Sequence, residues 1–502
     1  RLVTTSDETV APRQRTLHRL IDWSHDLLQP AEQQLFCRLS VFAGGFTGPA
    51  TLDVCADELV DAERVPELLA SLVQKSLTVR EGDGPTLRFR LLETLRDYAR
   101  EKLAEQDAAG ATAVRHCDHY FTLAKEAARG MRGGEQGRWA QRLDLELENL
   151  RAAAACALAG PAEPLIAVKI AVALTGFWIL RGYTSEGRKL VDAVLKLPAV
   201  QQSPLGQAWA LYTGAALAGT QGDHATAIRM LDTCLSLRRT MGNPVEIAAT
   251  LSTLSLARLQ AGDAAGAVEC ELEALGLFAT ADDRLGQAIG WLHLGQINAW
   301  TGQTQAALDD LALAMGFSKD IQNREVEAEC ELTISEVQLQ SGQLAPAYEA
   351  VMRSLNICKA AGDRRGEASA NGRLGRLELE AGQTVTARPR LQQALRDFQS
   401  HEMRAQMLSC LDDLALLRMQ EGPATEALKL ATAADLARQR LKLRRSPWEE
   451  PRWQKRLAAL CASLAPELVQ SATRAGRDLE TDDAVAVALE GADQSTVTVV
   501  RG

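Results

Sequence analysis

The chain has 502 residues, enough for several compact domains or one long repeat array. Aromatics make up 4% and prolines number 16, a balance that favours helix over sheet and an all-α fold class. A net charge of −10 and a pI near 5.4 exclude a global basic footprint, so nucleic acid is disfavoured as a partner.

No apolar run approaches the roughly 20 residues of a membrane span, so no membrane partner is expected. The ten cysteines are spread singly without a CxxC pair, which predicts buried, reduced thiols in a cytoplasmic protein.

The opening stretch RLVTTSDETVAPRQRTL lacks an initiator methionine and a signal segment, and residues 1–15 read as a linker from a missing upstream domain. Residues 16–107 predict a winged-helix-like domain. TLHRLIDWSHDLLQPAEQQLFCRLSVFAGGF gives two amphipathic helices, the second starting near Pro30 and ending at Gly44 and Gly45. VPELLASLVQKSL adds a third, with Val65, Leu68, Leu69, Leu72 and Val73 as its apolar residues. LTVREGDGPTLRFRL predicts a small β-hairpin, and RLLETLRDYAREKLAE runs on as a helix. Residues 31–105 carry nine Arg plus Lys against thirteen Asp plus Glu, a net of −4. A winged-helix transcription factor entering a DNA groove is therefore the weakest functional reading.

Residues 108–164 predict a helical connector. Within it His116, Cys117, Asp118 and His119 suggest a metal site, but one helix offers two ligands at most from such spacing, and a helix-surface cluster is expected instead. Ser24, His25 and Asp26 fail as a triad because adjacent helical residues point to different sides. Trp23 and Trp178 are expected in cores.

Residues 165–442 repeat. Gly182, Gly222, Gly262, Gly302, Gly342, Gly382 and Gly422 stand 40 residues apart, which predicts about seven units. Five residues after six of them comes Ala227, Ala267, Ala307, Ala347, Ala387 or Ala427, with Gly187 in the first unit. Seven further on stands Cys234, Ala274, Ala314, Ser354, Ala394 or Ala434. Each phased glycine suits the left-handed end of one helix before the next, so every unit is an αα-hairpin that buries its apolar face only by stacking. This resembles the tetratricopeptide repeat: Trp291, Leu294, Gly295, Gly302, Ala307 and Ala314 match its pattern in order. The usual period is about 34 residues. The surplus is expected in longer turns between units, at MGNPVE, ADDRLG, IQNREV and AGDRRG. Residues 443–490 predict C-terminal capping helices and 491–502 a tail.

RQRTLHRLIDWSHDLL, RLSVFAGGF, LLASLVQKSL, RLLETLRDYAREKL and LELENLRAA, followed by these repeats, resemble the segment after the nucleotide-binding domain in bacterial STAND, NB-ARC-like signalling ATPases. The closing RWQKRLAALCASLAPELVQSATRAGRDLETDDAVAVALE resembles the end of the same proteins. The resemblance implies a winged-helix module followed by a tetratricopeptide-type superhelix, and an upstream nucleotide-binding domain as a partner. No GxxxxGK[ST] occurs, so no cofactor is expected in this chain, and ATP or ADP belongs to the missing domain. The family's Met-His-Asp signature is replaced by Leu91, Leu92 and Glu93, and leucine cannot donate the hydrogen bond to phosphate that histidine makes there.

No residue set reads as catalytic or metal-binding, so the chain is not expected to be an enzyme. In tetratricopeptide proteins the first helix of each unit lines the concave groove, and positions two, six and ten before the phased glycine face inward. The resemblance thus assigns Trp300, Gln340, Glu380, Gln296, Glu336, Arg376 and Tyr212 as contacts for a protein, a peptide or a small effector. The chain reads as the sensor and interaction arm of a bacterial signal-transduction or transcriptional regulator, with a free-standing adaptor scaffold as the alternative.

Overall fold

The computed structural model describes residues 12–84, 87–106, 109–131, 135–160, 163, 165–441 and 443–490. The tail at 491–502, residues 1–11 of the expected linker, and Pro85 and Thr86 of the expected turn lie outside the described residues. The last four linker residues open a helix, Pro12–Asp26. The described chain divides into two compact units, residues 1–127 with 141–173, and 128–140 with 174–502.

The first unit holds the helices Pro12–Asp26, Pro30–Leu39, Gly48–Cys55, Val65–Gln74 and Glu93–Glu105, with Val79–Glu81 paired antiparallel to Arg88–Arg90. Gly48–Cys55 was not expected: Thr47 caps it by accepting from the Ala50 N–H, and Pro49 sits in its first turn. Phe46 exchanges backbone hydrogen bonds with Phe89 at 2.8 Å in both directions and so extends the hairpin at its edge. Leu35, Phe36, Leu39, Phe42, Phe46 and Leu72 are essentially solvent-free and form the core. Trp23 departs from expectation. It is 64% exposed beside Leu20 and Leu27, whereas the opposite side of its helix meets the Glu93–Glu105 helix through Tyr98, whose hydroxyl donates to Asp22 at 2.7 Å.

Helices over 109–130, 136–145 and 147–159 fill the connector stretch. His116 and Cys117 are buried rather than surface residues: His116 packs against Phe42 and Tyr120, and Cys117 donates to the Ala153 carbonyl. Asp118 is exposed, and His119 is half-buried against Asp53 at 2.9 Å. A helix covered on one side buries residues 116, 117 and 120 together, which sequence spacing alone does not reveal.

The second unit is the solenoid. Its helices run Pro204–Thr220, His224–Met241, Pro244–Gln260, Ala264–Thr280, Arg284–Trp300, Thr304–Asp320, Arg324–Gln340, Leu344–Ala361, Arg364–Glu380, Thr384–Ser400, Arg404–Glu421 and Ala424–Leu441. The expected long turns are absent from this run: links within and between hairpins are alike, at most three residues, and the surplus over the shorter repeat lengthens the helices to 17 or 18 residues. Asp223, Asn243, Asp263, Asp283, Asn323 and Asp363 cap helix starts by accepting from backbone N–H groups.

Six of the seven phased glycines have positive φ, but Gly422 is extended at φ −123°. Pro423 follows it and disfavours a helical conformation in the residue before. A second left-handed series lies between units, with Gly242 and Gly362 but also Asp282, Gln322 and Glu402 at φ 51°, 56° and 55°. Non-glycine residues there are strained by about 1 kcal/mol. Gln322→Gly should therefore raise stability by up to about 1 kcal/mol, whereas Gly242→Ala should lower it by a similar amount, both read from urea melts.

Small residues fix the hairpin packing. A Cβ on Gly295 or Gly375 would stand 2.7–2.8 Å from the side chain of Leu311 or Leu391 on the partner helix. Sites 80 residues apart thus solve the same close approach in the same way. At the end of the array, Trp453, Ala484, Val485 and Ala488 from the closing helices join Leu411, Leu430 and Ala434 of the last repeat in one buried cluster.

The solenoid also meets itself across one superhelical turn. Arg181 donates to the Gly362 carbonyl, 181 residues later, at 2.5 Å. Arg365 donates to the carbonyls of His401 and Thr220 at 2.6 and 3.0 Å. Glu402 accepts from Thr184 at 3.2 Å and from Ser185 and Gln221.

Candidate functional site

A cavity of about 460 Å³ lies within the solenoid unit, walled mainly by residues of the first helices of successive repeats from Leu256 to Asp413, with Phe398 and Arg438 from second helices, and bordered by residues 443–446 and Glu449. That last segment leaves the Ala424–Leu441 helix and folds back as an irregular strap. Leu443 comes within 3.8 Å of the Cβ position of Gly222, and the Arg444 side chain within 2.8 Å of that of Gly262. Glycines that end helices thus also leave room for the strap.

Arg445 anchors it. The guanidinium bonds both carboxylate oxygens of Asp412 at 2.8 and 2.9 Å and Asp435 at 2.5 Å, and lies 4.3 Å from the centre of the Trp453 ring. Asp412 also takes Arg438 at 2.5 Å. Ser446 accepts from the Glu449 N–H, and Glu449 receives Arg376 at 2.7 Å.

Of the seven residues assigned to the groove, Gln296, Trp300, Glu336, Gln340 and Arg376 all line this cavity. Glu336 pairs with Arg373 and accepts from the Gln340 amide at 3.1 Å. Arg376 lies 3.6 Å from Asp413 as well as bonding Glu449. Burial works against its charge, yet Asp413, Glu449, Glu336 and Glu380 together raise its pKa. Glu380 lies outside the main cavity, beside a smaller one, and is held by Arg456 at 3.1 Å. Tyr212 lines neither: its ring stacks under Arg238 and its hydroxyl accepts from Thr253 at 3.1 Å.

Sequence phase missed Glu329, Asp413 and the strap. Asp413 is 5% exposed, and its Oδ1 has no hydrogen-bond partner. Gln296 Oε1 and Gln340 Oε1, also in the cavity wall, lack partners too. A signal for Asp413 was present: the pair Asp412–Asp413 interrupts the apolar run LSCLDDLALL. The strap carries no periodicity, and its docking partners lie up to 221 residues away in sequence, as Leu443 and Gly222 do, beyond any local pattern.

Burial pushes the Asp413 carboxyl up to about 7, Arg376 opposing and Asp412 adding to the shift. Burial does the same to Glu329, up to about 7, with Asp363 and Glu325 adding to it. A carboxyl whose folded pKa is raised stabilises the fold below its unfolded value near 4, and that contribution is lost as pH rises through about 7. Buried His224, lowered to about 4, acts in the opposite sense between about pH 6.5 and 4. The wild-type melting temperature minus that of Asp413→Asn should therefore fall between about pH 5 and pH 8; a flat difference across that window would contradict the assignment.

The winged-helix unit presents little free positive charge around its third helix and hairpin. Lys75 is held by Glu32 at 2.6 Å, Arg80 by Asp83 at 2.7 Å, Arg90 by Glu81 at 2.9 Å, and Arg88 by Glu146. Among the described residues no cluster of three or more His, Cys, Asp or Glu could hold a metal ion, and no helix is long and apolar enough to cross a membrane.

Residues 28–104 match the winged helix-turn-helix domain family. A Mycobacterium tuberculosis protein named "Putative HTH-type transcriptional regulator Rv0890c" is 39% identical over 184 residues, which is 37% of this chain and 20% of that protein. Another protein of that organism, "Uncharacterized protein Rv0894", is 37% identical over 120 residues, 24% of this chain and 30% of its own length. The chain therefore matches about a fifth to a third of these relatives' length. The crystal structure of PH0952 from Pyrococcus horikoshii, a signal transduction ATPase with numerous domains (STAND) protein with a tetratricopeptide repeat sensor, aligns at a TM-score of 0.51 and 14% identity, over 94% of this chain and 65% of that one. The fold is thus that of a winged helix joined to a tetratricopeptide-type solenoid.

Proposed function

We propose that this chain is a non-catalytic sensing arm of a bacterial signal-transduction or transcriptional regulator. A protein, peptide or small effector enters the solenoid cavity, and the winged-helix module relays its arrival to a nucleotide-binding module of the intact protein, where ATP or ADP binds. The observation that carries this reading is the cavity wall itself: Gln296, Gln340 and Asp413 turn unpartnered acceptor atoms toward it. Leaving such atoms unpaired costs about 1–3 kcal/mol each, which a ligand recovers. The alternative is a free-standing adaptor whose repeats hold two proteins together without switching, and a P-loop upstream in the full gene would argue against it. The paired cations of the wing weigh against DNA as the target of this unit.

A ligand shifts a switch only through differential affinity for its two states. The clasp of Arg181, Arg365 and Glu402 across the superhelical turn is an element that could differ between them. The test is the nucleotide-exchange rate of the intact protein carrying Trp300→Ala with Arg376→Ala. Coupling of 1–3 kcal/mol corresponds to a change of about fivefold or more. Exchange identical to wild type would remove the relay.

A further inference from the structure

The reading of the cavity as a ligand site leaves the ligand's chemistry open, and the wall constrains it. Its unpartnered buried side-chain atoms are three acceptors, Asp413 Oδ1, Gln296 Oε1 and Gln340 Oε1, against two donors, Arg376 Nε and Arg438 Nε, each on a guanidinium already paired through another nitrogen. The Gln340 amide is oriented, because its Nε2 donates to Glu336 at 3.1 Å, so its oxygen is the free end. Asp413 is 5% exposed, and its ion pair with Arg376 is long, at 3.6 Å, because the same guanidinium nitrogen bonds Glu449 at 2.7 Å. Glu329 adds a second carboxyl to the same wall.

The wall's cations are largely committed to carboxylates: Arg373 to Glu336, Arg376 to Glu449, Arg438 and Arg445 to Asp412. Arg444 alone among them has no carboxylate partner among the described residues, and it is exposed.

We infer that the cavity binds a cationic N–H donor, a guanidinium or primary amine, with Asp413 as its counter-ion and the Gln296 and Gln340 oxygens as its further acceptors. This inference rests on the reading of the cavity as the ligand site. Charge-assisted hydrogen bonds to a buried carboxylate are stronger than neutral ones, and a planar guanidinium offers several donors to acceptors spread over separate helices. An anionic ligand brings no donors and meets two carboxyls. The cation comes either from a free small amine or from a basic side chain of a peptide.

Isothermal titration of the 502-residue chain with agmatine, N-acetyl-arginine amide and succinate tests it. The expected result is saturable binding of one or both guanidinium probes and none of succinate. Asp413→Asn should weaken that binding at least tenfold, about 1.4 kcal/mol. Gln340→Leu, which leaves every ion pair in place, should weaken it as well and guards against a folding defect in the first variant. Tighter agmatine binding assigns a free amine, and tighter binding of the capped arginine assigns a peptide side chain. Absence of binding by both cations at millimolar concentration, affinity unchanged in both variants, or binding of succinate instead would overturn the inference. The sensing reading is judged separately, by nucleotide exchange in the intact protein, and survives a ligand of different charge.

Discussion

Asp412→Ala should destabilise the solenoid unit by about 3–5 kcal/mol, the usual cost of removing one partner from a buried ion pair. Asp412 sits between two guanidinium groups, Arg438 at 2.5 Å and Arg445 at 2.8 and 2.9 Å, all of whose side chains are under a tenth exposed. Arg445 keeps Asp435 after the substitution, but Arg438 loses its only ion-pair partner among the described residues. Its neighbour Ser409 at 3.4 Å is a poor substitute. The loss should concentrate in the strap and the last repeat. Amide exchange in 404–441 should accelerate more than in 204–280, which a denaturant midpoint alone cannot resolve in a repeat array. Replacing Asp412 and Arg438 together with leucine should recover part of the stability, because the uncompensated charge is then gone. Equal acceleration along the whole array would place the defect elsewhere.

Trp178→Ala should cost about 3–5 kcal/mol, as for other large aromatic truncations in cores. The indole is 2% exposed and is the largest fully buried side chain among the described residues. It packs into the space that Gly187 leaves, 2.6 Å from where a Cβ would stand. The same contact makes Gly187→Val an independent probe from the opposite side, expected to destabilise by about 1–3 kcal/mol through overpacking. Thermal unfolding of both variants checks the pair, and a wild-type midpoint for Trp178→Ala would contradict the packing.

Much of this was legible from residue patterns. The 40-residue glycine phase and the alanines after it place each hairpin turn and each close helix approach, because a left-handed turn and a tight crossing each demand a small residue. The same logic assigns five of the seven expected groove residues to one cavity wall. It fails where packing between distant segments decides. Tyr212 has the right phase but lies where Arg238 and Thr253 take it up, and Glu380 is drawn to Arg456 of the closing helices. At ADDRLG and IQNREV, Asp282 and Gln322 occupy left-handed positions that sequence reading reserves for glycine, which hides three-residue turns; MGNPVE and AGDRRG do have glycine there and turn in two residues. Side-chain type alone places Trp23 in a core, but its exposure depends on which face of its helix the neighbour covers.

The central claim, that the solenoid cavity is where the chain meets its ligand, is tested most directly by a thermal-shift screen of the purified chain against nucleotides, metabolites and peptides. A ligand at a hundred times its dissociation constant stabilises by about 2.7 kcal/mol. The account predicts a hit whose shift disappears with Trp300→Ala and Arg376→Ala together. A hit that stabilises this variant as strongly as the wild type would contradict it.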